Sequence, residues 1–293
     1  MARDEQPGST LPRRQLGRAL REARQGVGFT LEQAAQEMEM SKTSVIRIEK
    51  GHNEKVRLRD VEGFGQLYEL SEKRIDELKA LAQQSATKSW WQASRHLMLP
   101  GYGTYLGLES GATLLHSYQP VIIPGLMQTA DYARGIERPT MPGNTAEDLE
   151  LRAEVRLRRT AILTRQRRTV TAEFLLHESV LHTVVGTQRI MAKQLRHIAD
   201  MGTRPNVTIR ILPSAAGFPG EVVPVLPYII LDFPADSMEP PVVYCENPIG
   251  SMFFEDDADV KRYRDIHRDL KCATLDEQRS RDLLRQLARR YEQ

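Results

Sequence analysis

Between Ser41 and Gly51 the chain reads S-K-T-S-V-I-R-I-E-K-G, and four of its hydrogen-bonding side chains, Lys42, Thr43, Ser44 and Arg47, share the outer side of a possible helix. Val45 and Ile48, three positions apart, fall on the opposite side. A DNA major groove admits a helix, and base edges are read by this mixture of hydroxyls, an ammonium and one forked guanidinium. A bidentate Arg47–guanine contact would supply roughly 1–3 kcal/mol of discrimination. An ordinary amphipathic surface helix with a solvated polar face would show the same pattern. The next segment, H-N-E-K-V-R, places Asn53, Lys55 and Arg57 where donors could hold phosphates, contacts that position a protein without reading sequence.

A helix of this kind needs a frame. Ser41 can cap its N-terminus, and Gly51 can take the left-handed conformation that ends it. Upstream, Thr30 with Gln33 forms a T-x-x-Q capping box, predicting a helix from Leu31 to about Met38 and a turn at Glu39 and Met40. Before it, Leu16, Leu20 and Ala23 have helical spacing, with Arg13, Arg14, Arg18, Arg21 and Arg24 on the other faces. After it come a helix over about Leu58–Tyr68 and another capped by Ser71, with Ile75, Leu78 and Leu81 on one face. The five helices complete a small all-α domain, and within it the helix, tight turn and second helix from Leu31 to Lys50 resemble the helix-turn-helix of the Xre or lambda-repressor-like class. Glu39 departs from that class, which often has a left-handed glycine there; glutamate would cost about 1 kcal/mol of strain or bend the turn differently. Ile46 stands where the class often has a small polar residue, open to a thymine methyl or to a neighbouring helix.

With 293 residues, 40% of them apolar, the chain can bury two cores. The net charge of +2 excludes a polycation, so nucleic-acid affinity must be local. Ser41–Arg59 carries six Lys/Arg against two acids, which supplies that locality. Cys245 and Cys272 lack a C-x-x-C context, as expected for reduced thiols packed in a cytoplasmic protein. No apolar run is long enough for a membrane span, and the N-terminus lacks a signal-like core; a cytoplasmic, nucleoid-associated protein is expected.

The expected organisation is a DNA-binding domain over 1–84, a polar linker over 85–89 and a C-terminal domain over 90–293. Residues 1–10 are read as disordered, or as an arm along the DNA backbone. In the second domain, β-type runs fall at Tyr118–Ile123, Thr169–Leu176, Val207–Leu212, Pro227–Asp232 and Val242–Cys245. Helical patterns fall at Thr129–Ile136, Ala146–Thr164, Ile190–Met201 and Ala258–Lys271, with a last helix capped by Thr274 and Glu277. The fold expected is an all-α five-helix domain followed by an α+β domain with one mixed sheet.

The string Val121–Ala133, V-I-I-P-G-L-M-Q-T-A-D-Y-A, is the most specific in the chain. With Arg156-x-x-Arg159, His177-Glu178-Ser179-Val180-Leu181 and Val243-Tyr244-x-Glu246 it resembles the C-terminal domain of a large actinomycete family of Xre-type regulators, WhiJ-like in domain order. That resemblance implies a transcription regulator, often paired with a small protein encoded by an adjacent gene and antitoxin-like for that reason. It supports Arg47, Ile48, Glu49 and Gly51 as the end of the recognition helix, and it carries over no catalytic residue, metal or cofactor.

The second domain offers three strings that could be mistaken for chemistry. His177-Glu178-x-x-x-His182 spaces its histidines five apart, about 140° from a shared helix face, which excludes a zinc-protease pair. Gly101-x-Gly103-x-x-x-Gly107 has the wrong spacing for a dinucleotide loop and reads as a loop or the start of a helix. Ser179 and Ser214 lack a nucleophile-elbow context. Binding fits better than catalysis. Leu149–Arg168 carries seven arginines, among them Arg152, Arg156 and Arg159, which either form a solvated, locally paired face or a site for an acidic partner or ligand. Pro213–Pro227, with Phe218 and Val222, is unusually apolar for a loop and reads as a partner-binding flap or a packed connection. The function expected is a sequence-specific regulator of double-stranded DNA, homodimeric because one short helix reads too few base pairs. The alternatives are an antitoxin-like protein whose main role is to neutralise a partner, and a small-molecule-sensing regulator.

Overall fold

The computed structural model describes residues 11–293 other than 54, 87–89, 141–144, 167–168, 221–224 and 238. The suggested N-terminal arm, most of the linker, Arg167, Arg168 and Val222 lie outside the described residues. The chain divides into two compact units, residues 1–111 with Pro234–Glu239, and residues 112–233 with 240–293.

The first unit holds α1 (Leu11–Gly26), α2 (Leu31–Glu37), α3 (Lys42–Glu49), α4 (Leu58–Leu67), α5 (Glu72–Ser85) and α6 (Tyr102–Gly111). Leu16, Leu20, Ala34, Val45, Ile48, Val61, Phe64, Tyr68 and Leu78 form the core of the helix-turn-helix region. α6 absorbs the G-x-G-x-x-x-G string, so the glycines there lie in and before a helix rather than in a loop. Gly17 lets α1 run directly against the end of α3: a Cβ there would stand 2.5 Å from the Ile48 carbonyl oxygen and 2.6 Å from that of Glu49.

Two turns of the unit are near copies. α2 ends at Met38, Glu39 takes φ +50°, and the Met40 N–H donates to the Ala35 carbonyl; α4 ends at Tyr68, Glu69 takes φ +56°, and the Leu70 N–H donates to the Gly65 carbonyl. Each turn then delivers a serine cap, Ser41 accepting from the Ser44 N–H and Ser71 from the Arg74 N–H. These are left-handed helix ends followed at once by a new N-terminus. The returning segment Pro234–Glu239 completes the unit, with Arg14 Nε 2.7 Å from Glu239 Oε1 and Gln15 Nε2 2.9 Å from the Ser237 carbonyl oxygen.

Among the described residues the second unit has one mixed sheet of β1 (Leu114–Gln119), β2 (Thr171–His177), β3 (Val207–Leu212), β4 (Tyr228–Asp232), β5 (Val242–Asn247) and β6 (Gly250–Phe254), ordered β3-β2-β1-β4-β5-β6. β1, β2 and β3 are parallel, while β4, β5 and β6 continue the sheet antiparallel. Around it lie α7 (Ala130–Thr140), α8 (Ala146–Arg159), α9 (Ala161–Thr164), α10 (Ser179–His182), α11 (Gln188–Met201), α12 (Asp257–Cys272) and α13 (Glu277–Arg290).

Three local expectations are corrected and one strand is added. The first strand lies at Leu114–Gln119 instead of Tyr118–Ile123, because Pro120 has no N–H to continue the ladder. The helix drawn over Ala146–Thr164 breaks at Thr160 into α8 and α9. The last helix is capped by Asp276, whose carboxylate accepts from the Arg279 N–H; Thr274 is occupied instead by Arg210 Nε and the Lys271 carbonyl. β6 is an additional strand, G-S-M-F-F, whose lack of β-branched residues hid it.

Candidate nucleic-acid interface

α3 buries Val45 and Ile48 and leaves Lys42, Thr43 and Arg47 exposed, with Ser44 and Ile46 half-buried. The four side chains proposed to face bases are not equally available. Lys42 Nζ is ion-paired with Glu32 of α2, whose carboxyl is held below its ordinary range by that contact. Ser44 Oγ is 2.8 Å from Ser41 Oγ, inside the cap. Among the described residues Thr43 and Arg47 make no side-chain hydrogen bond or ion pair, so they present free donors on the outer face.

The opposite end of α3 is clamped. Arg24 Nε donates to Glu49 Oε1 at 2.6 Å and its Nη2 to Glu49 Oε2 at 3.1 Å, while Nη1 donates to the Phe29 carbonyl at 2.6 Å. Both side chains are nearly buried, and the fork raises the Arg24 pKa through its hydrogen bond to Glu49. Burial likewise pushes the adjacent Tyr68 hydroxyl up. The missed signal was the sequence pair itself: an arginine in the last turn of one helix and a glutamate at the end of another are ordinary surface residues until the helices cross.

Past Gly51, which takes φ +66°, the chain runs to α4 with Val56 tucked into the core, Asn53 half-buried, and Lys55 and Arg57 exposed. His52 is held below its ordinary pKa first by burial and then by the positive charges of Lys50, Arg47 and Arg14, which marks this side of the unit as electropositive. The three residues proposed for phosphates therefore share one short connection just past the C-terminal end of α3, as residues tracking a backbone would.

The other candidate residues turn inward. Arg152 and Arg156 both grip the buried carboxylate of Glu137, Arg152 Nε at 2.6 Å from Oε2 and Arg156 Nε at 2.7 Å from Oε1. Arg159 is buried against Gly125, where a Cβ would stand 2.8 Å from its Nη1. Phe218 is the opposite case, 73% exposed in the connection after β3.

The motif strings of this domain are laced into its frame. In the first, Gln128 Nε2 donates to the Ile123 carbonyl at 2.7 Å, the Thr129 N–H donates to Gln194 Oε1 at 2.7 Å, and Gln194 Nε2 donates to the Met127 carbonyl at 2.6 Å. In the second, Ser179 Oγ donates to the Pro120 carbonyl at 2.8 Å and Glu178 Oε2 accepts from the Ser214 N–H at 2.8 Å, so one segment ties together the ends of β1, β2 and β3. His177 Nδ1 lies 2.7 Å from Ser179 Oγ within this lacing.

Residues 102–286 match the family described as "Domain of unknown function (DUF5753)". The chain belongs to that family. A helix-turn-helix domain matches residues 15–78, covering α2, α3 and the connection that carries Lys55 and Arg57. Comparison with curated proteins and with solved structures finds no match for the chain. This DUF5753 protein is thus a helix-turn-helix protein in which the family domain spans α6 and most of the second unit, and no described helix is long and apolar enough to cross a membrane.

Proposed function

We propose that this DUF5753 protein is a sequence-specific transcription regulator that docks α3 in the major groove of double-stranded DNA. The observation that carries the reading is the unpaired, exposed Arg47 beside Thr43, on a helix clamped from behind by Arg24 and flanked by Lys55 and Arg57. Selection of binding sites from random duplexes tests it. Wild-type protein should enrich one motif, and Arg47→Ala should relax one position of that motif; failure of the wild type to enrich any sequence would end the reading.

Within this reading the protein acts as a homodimer, and the DUF5753 domain is a binding module for a small protein partner, not an enzyme. Among the described residues of the second unit, the large apolar side chains of Val121, Ile122, Val184, Phe218, Leu226, Ile249 and Met252 are exposed. Val121 and Ile122 follow β1, Val184 follows β2, Phe218 follows β3, Leu226 precedes β4 and Ile249 lies in the β5–β6 hairpin. Those are the connections at the end of the sheet where the parallel strands finish, and Met252 lies in β6 just past the hairpin. Apolar side chains gathered at one end of a domain mark a surface for another protein. The same rim supports a second reading, an antitoxin-like protein whose DNA binding serves autoregulation. Deleting residues 1–84 separates the two: survival of partner-bearing cells without the DNA-binding domain would favour neutralisation.

A further inference from the structure

The two edges of the sheet are treated differently by the chain. At the β3 edge, α13 and the turn before it satisfy both backbone groups of Ile211: its N–H donates to Ser280 Oγ at 3.0 Å, and the Leu275 N–H donates to its carbonyl at 2.8 Å. At the other edge β6 pairs with β5 alone among the described residues, and its outward N–H and C=O groups find no partner there. Native edge strands are usually guarded by lysine, proline, a bulge or a covering helix. Gly250–Phe254 has none of these residues, carries no charge, and leaves Met252 49% exposed next to Ile249 at 82%.

We propose that β6 is the dimer edge of this protein, pairing antiparallel with β6 of a second copy about a two-fold axis at Met252, so that two six-stranded sheets become one. This rests on the dimer in the reading above and names its surface. The strand is self-complementary in that arrangement. A two-fold at Met252 sets each Met252 opposite its counterpart, Ser251 opposite Phe253 and Gly250 opposite Phe254, covering each glycine with an aromatic ring. The acidic run Glu255-Asp256-Asp257 then lies beside the uncharged Asn247-Pro248-Ile249 of the second copy. Parallel pairing would instead align the two acidic runs, which disfavours it. An isologous contact of this kind closes on itself and leaves no further edge on that side.

Sedimentation of the full-length protein tests the edge, with gel shifts on a single half-site run in parallel. The wild type should be a dimer at micromolar concentration, and Met252→Lys should weaken it by about tenfold or more, since like charges would face each other across the axis. Met252→Cys in a Cys272→Ser background, which removes the exposed native thiol, should form an intermolecular disulfide on mild oxidation, because residues directly opposed across strands lie at about 4.5–5.5 Å between Cα atoms. Melting temperatures close to wild type confirm folding, and should Met252→Lys fail to fold, the Met252→Cys cross-link decides. A monomeric wild type, or a dimer that resists Met252→Lys or leaves Met252→Cys uncrosslinked, overturns the proposal. A monomer that still shifts a half-site would leave DNA reading intact, whereas a cross-linked dimer that binds no duplex would leave the edge intact and remove the regulator.

Discussion

Arg24 in α1 and Glu49 at the end of α3 meet as a two-pronged fork, Nε on Oε1 and Nη2 on Oε2, with both side chains more than nine-tenths buried. A charge pair in such a place stabilises little against an apolar replacement of both partners, but removal of one leaves the other buried and uncompensated at a cost of about 3–5 kcal/mol. Glu49→Ala should therefore lower the unfolding free energy of the first unit by about that amount. Arg24→Met with Glu49→Met should recover much of it. Urea unfolding of the three proteins checks this, and a Glu49→Ala variant within about 0.5 kcal/mol of wild type would show that the fork is dispensable.

α3 was legible because its signals are local. Ser41 caps, Gly51 stops, and Val45 with Ile48 marks the inner face, each within a few residues. Its clamp was not legible, because Arg24 and Glu49 are 25 positions apart and only helix crossing joins them. In the second unit four of the five expected strands fall within a few residues of their places because β-branched runs bounded by Pro, Gly or Asp are also local signals. β6 escaped because it has no β-branched residue, and α6 was legible only as a possible helix start because its glycines weaken the helical pattern. The arginines of α8 illustrate the limit on sites: their spacing shows one charged face, and only the fold reveals that Glu137 sits beneath it.

Glu39 and Glu69 occupy left-handed backbone at φ +50° and +56° with exposed side chains and no ion pair among the described residues. Glycine reaches that conformation without a Cβ clash. Glu39→Gly and Glu69→Gly should each stabilise the first unit by about 0.5–1 kcal/mol, the relief of strain exceeding the entropy added to the unfolded chain. Thermal unfolding reads the effect as a rise of a few degrees. A fall in melting temperature at both positions would mean that the turns are not strained.

Lys55 and Lys42 should act on DNA binding with opposite signs when their surroundings are altered. Lys55 is exposed, so Lys55→Ala should weaken all duplexes alike and flatten the dependence of log affinity on log salt by about one. Lys42 is held by Glu32. Glu32→Gln removes an anion from the face of α3 and frees the ammonium, and should strengthen binding and steepen the same slope. Titrations across a salt series distinguish them; equal slopes in wild type and Lys55→Ala would remove Lys55 from the interface.

In the second unit Glu173 accepts from His267 Nε2 at 3.0 Å and from Lys271 Nζ at 2.6 Å, while His267 Nδ1 lies 3.1 Å from the Tyr228 hydroxyl. Burial alone would raise the Glu173 carboxyl, but its bonds to His267 and Lys271 outweigh it and hold the pKa at about 2. An unfolded glutamate titrates near 4.3. The folded form thus binds its proton later than the unfolded one, so the stabilisation is complete above about pH 4.5 and is lost as the pH falls toward about 2. The interval corresponds to about 3 kcal/mol at most. Glu173→Gln has no proton to take up there, and the slope of its stability against pH in that window should be smaller than wild type by up to one proton. Chemical unfolding at several pH values between 2 and 5 measures both slopes, and identical slopes would show that Glu173 titrates alike in the folded and unfolded chains.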